Sequence, residues 1–315
     1  MYDAMGHTFD LRHVQAGSAV PRSADLANLE KDDSRREWNK PVGTERTTTM
    51  STTATKGTEE VVDVAGQPLH IVKGGSGEPL LILHGEMGPA GWLRYHDALA
   101  QHYTVTLPVH PGYGKSGRVE WVRNLRDLAS WYLEALDDLG LDGVPVLGCG
   151  LGGWLAAEMA AASPKQFSKL IVASAPGIRP PQGEIFDMFL VVAKDYIDKG
   201  FAGPENTPEY QELYGGEVPH DTQEIWFYSR EESSRLTWRP YMHDLTLPPR
   251  LHRLKQVPTQ IIWGREDAIV PLSAGEAYQK AIPGSQLTVI DGCGHYPEIE
   301  QTDAFVSCVE NFLRT

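Results

Sequence analysis

The alternation of strand-like and helix-like segments between Glu59 and Leu313 constrains the fold of this chain more than any other feature. Short apolar runs predict eight strands: Val61–Val64, Leu69–Val72, Leu80–Leu83, Tyr103–Leu107, Val144–Leu147, Leu170–Ala173, Thr259–Trp263 and Gln286–Ile290. Apolar residues at three- and four-residue spacing predict helices over Trp92–His102, Trp121–Leu139, Leu151–Ser163, Ser273–Ile282 and Asp303–Leu313. This order predicts an α/β fold with a mostly parallel eight-stranded sheet and helices on both faces.

Two segments depart from this alternation. Residues 1–58 are polar, contain few aliphatic residues and show no sustained period, so we expect a disordered N-terminal leader. Residues 177–250 form a stretch much longer than a plain crossover needs. Helical patches at Asp187–Lys199 and Thr222–Leu236 indicate that this stretch is an inserted helical lid. The core is then formed by residues 59–176 and 251–315.

The composition limits the partners and the location of the protein. With 41% hydrophobic and 22% charged residues it is an ordinary globular chain, and its formal net charge of −14 argues against nucleic acid, which requires a basic surface. Because it lacks a run of about 18 apolar residues, we expect no membrane span and no membrane partner. Three scattered cysteines and the absence of a signal-peptide pattern favour a cytoplasmic protein without a metal site. We expect no cofactor, and the oligomeric state stays open.

The densest chemical signal is the segment Val144–Glu158, which predicts a strand, a glycine-rich turn and an Ala-rich helix. Its spacing Gly148-x-Gly150-x-x-Gly153 occurs in dinucleotide-binding proteins, where it brings a pyrophosphate to a helix N-terminus. That interpretation also needs an acidic residue at the end of the next strand, where this chain has Ser174 followed by Ala and Pro. The strand–turn–helix pattern also suits a nucleophile elbow.

Four further segments follow predicted strands and carry recognisable motifs. They are His84–Gly88, the turn His110–Ser116, Trp263–Pro271 and Asp291–Glu298. With these motifs in this order, the chain resembles the α/β-hydrolase superfamily, and most of all its lidded members such as esterases and carbon–carbon bond hydrolases. The resemblance covers about Glu59 to Leu313, and it implies an α/β-hydrolase fold whose elbow, acid and base follow one another along the chain.

The resemblance also implies a role for each motif. Asp267 would orient His295, and His295 would act as the base. The backbone N–H groups of Glu86 and Leu151 would form the oxyanion hole. Gly150 stands at the position of the nucleophile, so that position is vacant, because glycine has no side chain that could attack a carbonyl. A glycine also suits the positive φ of an elbow, which costs other residues about 1–3 kcal/mol.

The missing nucleophile leaves three interpretations open. The first is an enzyme acting on a small carbonyl compound, an ester or a carbon–carbon bond next to a carbonyl, in which His295 activates water or abstracts a substrate proton. The second is a non-catalytic small-ligand-binding protein on the same scaffold. The third is a serine hydrolase inactivated by replacement of its serine with Gly150. Cys149 is one position too early to act as the nucleophile, and we expect it to be a small buried hydrophobe.

Two further features bear on the site. The carboxylate of Glu86 would repel a developing oxyanion, so its side chain either points away from the site or acts as an acid or base itself. A pocket between lid and core is the usual place for a small-molecule substrate or ligand. Trp226 and Trp238 are candidate apolar walls of that pocket, and His243 is a candidate polar handle.

Overall fold

Eight strands form a single sheet in the computed structural model, which describes residues 57–315. In chain order they are β1 (Thr58–Val64), β2 (Gln67–Gly74), β3 (Glu78–Leu83), β4 (Tyr103–Pro108), β5 (Val144–Cys149), β6 (Phe167–Ala173), β7 (Thr259–Gly264) and β8 (Gln286–Ile290). Their order across the sheet is β1-β2-β4-β3-β5-β6-β7-β8. β2 pairs antiparallel with β1 and β4, and the other neighbours are parallel. The predicted fold class is confirmed, whereas all but the last two residues of the predicted leader lie outside the described residues.

Ten α-helices accompany the sheet within residues 57–315. They are α1 (Arg94–Leu99), α2 (Leu125–Asp138), α3 (Leu151–Ala162), α4 (Ala193–Lys199), α5 (Pro208–Tyr214), α6 (His220–Thr237), α7 (Leu247–Arg250), α8 (Leu272–Ala281), α9 (Pro297–Glu300) and α10 (Thr302–Arg314). The five helices predicted outside the lid correspond to α1, α2, α3, α8 and α10. In the part of the chain that the structure describes, no helix combines the length and apolar character needed to cross a membrane.

The chain leaves the sheet after β6 and returns to it at β7, and α4 to α7 lie in this interval. The predicted patch Thr222–Leu236 is part of the long helix α6. The other patch, Asp187–Lys199, is divided into a 3-10 turn at Met188–Leu190 and the helix α4. The sequence does not indicate α5, because a helix of seven residues is too short to show a sustained apolar period.

The core lies against the central strands, whose Leu, Ile and Val side chains are almost completely buried. Such near-continuous apolar runs are what parallel strands need when both faces of the sheet are covered. Because β3, β5, β7 and β8 run in the same direction, the loops that follow them meet at one edge of the sheet. These four loops carry Glu86, Gly150, Asp267 and His295.

Candidate active site

Three polar side chains from distant parts of the chain form a continuous series of hydrogen bonds. His295 Nδ1 lies 2.9 Å from Asp267 Oδ2, and His295 Nε2 lies 3.2 Å from Glu86 Oε1. All three residues are buried. The imidazole of His295 is therefore held between two carboxylates, one from the loop after β7 and the other from the loop after β3.

The carboxylate of Asp267 is held at both of its oxygens. Oδ1 accepts hydrogen bonds from the backbone N–H groups of Ile269 (2.9 Å) and Val270 (2.8 Å), while Oδ2 faces His295. These partners offset the cost of burying a charged group. Asp267 therefore fixes the orientation of the His295 ring and keeps the proton on Nδ1.

The turn between β5 and α3 is built from glycines that allow a close approach of main chains. Gly150 has φ 53° and ψ −124°, backbone angles that strain residues with a side chain. Gly148 packs directly against the backbone of Gly152, which in turn packs against the backbone at Leu83. A side chain at Gly148 or Gly152 would collide with the main chain, so these glycines hold the start of α3 against the loop that carries Glu86.

The carboxylate of Glu86 fills the space beside Gly150. A Cβ atom added at Gly150 would lie only 2.5 Å from Glu86 Oε2. Oε2 accepts a hydrogen bond from the backbone N–H of Leu151 (3.2 Å), and Oε1 accepts one from the Tyr196 hydroxyl (2.8 Å). The side chain of Glu86 thus points into the site. Its carboxylate accepts from the Leu151 donor of the predicted oxyanion hole and fills the vacant position beside Gly150.

The charges in this cluster stabilise one another. Burial lowers the pKa of His295, but the charges and hydrogen bonds of Asp267 and Glu86 outweigh burial and raise that pKa well above its usual value. Burial raises the pKa of Glu86, yet the hydrogen bond and charge of His295 lower it to about 2. Both shifts favour an ion pair between a protonated His295 and an ionised Glu86, while Asp267 holds the other ring nitrogen of His295.

A small cavity of about 60 Å³ borders this cluster and is lined in part by Glu86, Gly150 and His295. Pockets that enclose drug-sized ligands measure about 300–1,000 Å³. In this state the cavity therefore accommodates only a ligand of a few non-hydrogen atoms beside the three polar residues.

A larger groove of about 380 Å³ lies next to the cavity. The two spaces share a wall formed by Pro89–Gly91 and Tyr214. Trp226 lines the groove rather than the cavity, and its ring centroid is 6.1 Å from that of Tyr214. The side chain of Tyr214 therefore separates this predicted substrate-binding residue from His295.

Trp238 and His243 lie away from both spaces and line neither of them. Trp238 is 49% exposed, and its ring packs against that of Tyr241. Both residues follow α6 in a turn that is anchored elsewhere, because the neighbouring Asp244 pairs with Arg126 of α2. Trp238 and His243 therefore lie apart from the cavity beside His295, and their contact with a substrate stays a prediction.

The sequence pattern does not point to four residues of the site. Tyr196 of α4 donates to Glu86, and His96, Tyr296 and Glu298 line the cavity. Tyr296 and Glu298 follow His295 closely, and this proximity was the one available signal. His96 and Tyr196 lie in helical segments whose patterns give no reason to single them out.

One group of side chains within residues 57–315 has atoms close enough to share a metal ion, namely His220, Asp221 and Glu224 at the start of α6. All three are exposed, and none lines the cavity or the groove. Exposed acidic groups of this kind are common on protein surfaces. The cluster therefore contributes nothing to the chemistry beside Gly150.

Comparison with known proteins identifies the class that this fold and site define: the chain belongs to the alpha/beta hydrolase family, whose model matches residues 80–307. The 2-hydroxy-6-oxononadienedioate/2-hydroxy-6-oxononatrienedioate hydrolases of Klebsiella pneumoniae and Pseudomonas putida are 29% and 28% identical to it, over 80% and 76% of this chain and 93% and 89% of theirs. An uncharacterized protein of Mycobacterium tuberculosis is 27% identical over 76% of both chains. A solved meta-cleavage product hydrolase from Pseudomonas fluorescens shares the fold, with a TM-score of 0.63, 23% identity, and coverage of 81% of this chain and 97% of that chain.

Proposed function

We propose that this protein is an enzyme that acts on a small carbonyl compound, an ester or a carbon–carbon bond next to a carbonyl, without a serine nucleophile. The observation that carries the proposal is the Glu86 carboxylate, which lies over Gly150 and contacts His295. Gly150 takes the position of the family's nucleophile, and Glu86 brings a reactive group back to that position. The names of the Klebsiella and Pseudomonas putida relatives agree with a hydrolase.

Glu86 is the proton acceptor in this mechanism. In the sequence-based interpretation this role falls to His295, but an imidazole between two carboxylates already carries its proton at neutral pH. Glu86 is ionised and borders the cavity. A water molecule in the cavity gives one proton to Glu86 while its oxygen forms a bond to the substrate carbonyl carbon.

His295 is the proton donor. Its Nε2 proton passes to the leaving alkoxide or enolate as the bond to the carbonyl carbon breaks. Loss of this proton removes the positive charge that lowers the pKa of Glu86, so Glu86 keeps the proton it took from water while the leaving group departs. The proton on Glu86 then returns to Nε2 across their 3.2 Å contact, which restores both groups. Asp267 holds the ring in place throughout.

Residues 177–250 act as a lid in this mechanism. Tyr196 donates to the Glu86 carboxylate, and the Ser233 hydroxyl donates to the Glu86 backbone carbonyl (2.8 Å). Tyr214 forms part of the cavity wall. Because all three residues belong to this inserted segment, its movement would change both the position of Glu86 and the access of water and substrate.

The test compares the parent chain with Glu86→Gln and His295→Ala on a panel of aryl esters and diketones. Gln keeps the size of the side chain but cannot accept a proton as a carboxylate does. We expect turnover of at least one compound and losses of about 10²–10⁴-fold in kcat for both variants, the usual contribution of general acid–base catalysis. Glu276→Gln on the exposed face of α8 is the matched control and should leave the rate unchanged. Equal rates for the parent and His295→Ala would contradict the proposal.

A ligand-binding protein without turnover is the second candidate, and one observation favours it. The Leu151 N–H group, a donor of the predicted oxyanion hole, is already bound to Glu86 Oε2. A substrate carbonyl would have to compete with this internal carboxylate. Recovery of a bound compound unchanged, with no turnover by the parent, supports this candidate. Turnover by Gly150→Ser alone would instead identify a serine hydrolase inactivated at residue 150.

A further inference from the structure

The cavity has a second polar wall, formed by His96, Tyr296 and Glu298. One buried atom of each side chain, His96 Nε2, the Tyr296 hydroxyl and Glu298 Oε2, has no hydrogen-bond partner in the part of the chain that the structure describes. Buried polar atoms are rarely left in this state, because each loses its water without compensation. Three residues with such atoms line one cavity, which makes this cavity a candidate site for a polar ligand.

The hydrogen-bonding role of each atom follows from its surroundings. The Leu93 N–H donates to His96 Nδ1 (2.9 Å), so the proton of the neutral ring is on Nε2, which is a donor. Burial lowers the pKa of His96 to about 3, which keeps the ring neutral. Burial raises the pKa of Tyr296 well above its usual value, so its hydroxyl is a donor as well. Burial raises the pKa of Glu298 to about 7, so this carboxyl can donate or accept near neutral pH.

The charges around the cavity do not suit an anion. Neither Lys nor Arg is among the residues that line it. The one positive charge, on His295, is already shared by Glu86 and Asp267. A carboxylate in the cavity would face Glu86, and Glu298 when it is ionised, without a cation of its own, and a buried charge without a partner is strongly disfavoured.

We propose that His96, Tyr296 and Glu298 bind a neutral polar group of the substrate, and that the cavity selects neutral carbonyl compounds over carboxylates. The two donors bind the oxygen of an amide, ester or ketone, and Glu298 is the third partner. This proposal depends on the proposed function in one respect: the reacting bond of the substrate is placed beside Glu86 and His295. A neutral ligand of this kind differs from the dioates that appear in the names of the Klebsiella and Pseudomonas putida relatives, since a dioate carries two carboxylates.

Propionamide and propionate provide a matched test, since they share size and shape and differ in charge. Dissociation constants are measured by NMR titration of the parent chain at neutral pH. We expect propionamide to bind at least about tenfold more tightly than propionate, a difference that corresponds to about 1.4 kcal/mol. Equal affinities, tighter binding of propionate, or no detectable binding of propionamide would overturn the proposal.

Two conservative variants test whether Tyr296 and Glu298 cause the expected preference for propionamide over propionate. Tyr296→Phe removes one donor and should weaken propionamide binding several-fold, whereas Glu298→Gln removes a negative charge and should narrow the difference between the two ligands. Glu276→Gln should change neither constant. Retention of the parent values by both wall variants would overturn the proposal. Because binding is measured without turnover, this result is independent of the Glu86→Gln and His295→Ala rates that decide the proposed function.

Discussion

Glu86 Oε2 lies 2.5 Å from the point at which a Cβ atom of residue 150 would stand, so the present position of Glu86 requires a glycine at Gly150. The positive φ of Gly150 adds a second requirement for glycine, since a side chain there is strained by about 1–3 kcal/mol. The hydrogen bond from Leu151 N–H keeps the carboxylate in this position. Gly150 and Glu86 therefore act as a pair: one provides the space and the other fills it.

This pairing predicts that Gly150→Ala destabilises the protein less when Glu86 is shortened. In the parent background the new methyl group meets both backbone strain and the carboxylate, whereas Glu86→Ala leaves only the strain. Urea unfolding of the parent, both single variants and the double variant measures the coupling, which we expect to reach at least about 1 kcal/mol for side chains in contact. Strictly additive costs would show that Glu86 does not occupy this space.

The low pKa of Glu86 predicts a loss of stability in acid. A carboxyl whose folded pKa lies below its usual value contributes stability above the usual value, and this contribution is lost as the pH falls through the folded pKa. For Glu86 the interval runs from about 4.5 down to about 2. The free energy of unfolding should therefore fall more steeply across this interval for the parent than for Glu86→Gln. Parallel curves for the two proteins would contradict the assigned charge state.

Glu298 predicts the opposite dependence. Burial raises its pKa from 4.5 to about 7, so its protonated form is the one favoured in the folded protein. That contribution is complete below pH 4.5 and is lost as the pH rises through about 7. Glu298→Gln, which stays neutral, should gain stability relative to the parent as the pH rises from about 4.5 to about 7, with little difference below this interval and a constant difference above it. Thermal unfolding across this range provides the measurement, and a constant difference at all pH values would contradict it.

The sequence predicts the strands well because their signal is local. Leu80–Leu83 and Leu170–Ala173 are continuous apolar runs, as buried parallel strands require, and both lie within observed strands. Asp267 and His295 could be placed near each other for a related reason. Each follows a strand end, and parallel strands bring those ends to one edge of the sheet.

The direction of the Glu86 side chain could not be predicted in the same way. It depends on contacts with Leu151 and with Tyr196, which is 110 residues away in the chain. The positions of Trp238 and His243 likewise depend on how the inserted segment packs, and an apolar or polar residue type does not reveal which side of that segment it occupies. Side-chain direction and packing across long separations are therefore what a single sequence leaves undetermined.

Removal of the Tyr214 side chain should allow the site to bind longer ligands. Tyr214 separates the cavity of about 60 Å³ from the groove of about 380 Å³, so Tyr214→Ala would join the two spaces. Hexanamide is three methylene groups longer than propionamide, and burying these groups in the apolar groove is worth up to about 2 kcal/mol. The measurement is the ratio of the two dissociation constants, which should shift towards hexanamide by about tenfold or more in Tyr214→Ala. Tyr228→Ala removes an exposed aromatic ring of α6 as the matched control and should leave the ratio unchanged. An unchanged ratio in Tyr214→Ala would show that the groove does not serve the cavity beside His295.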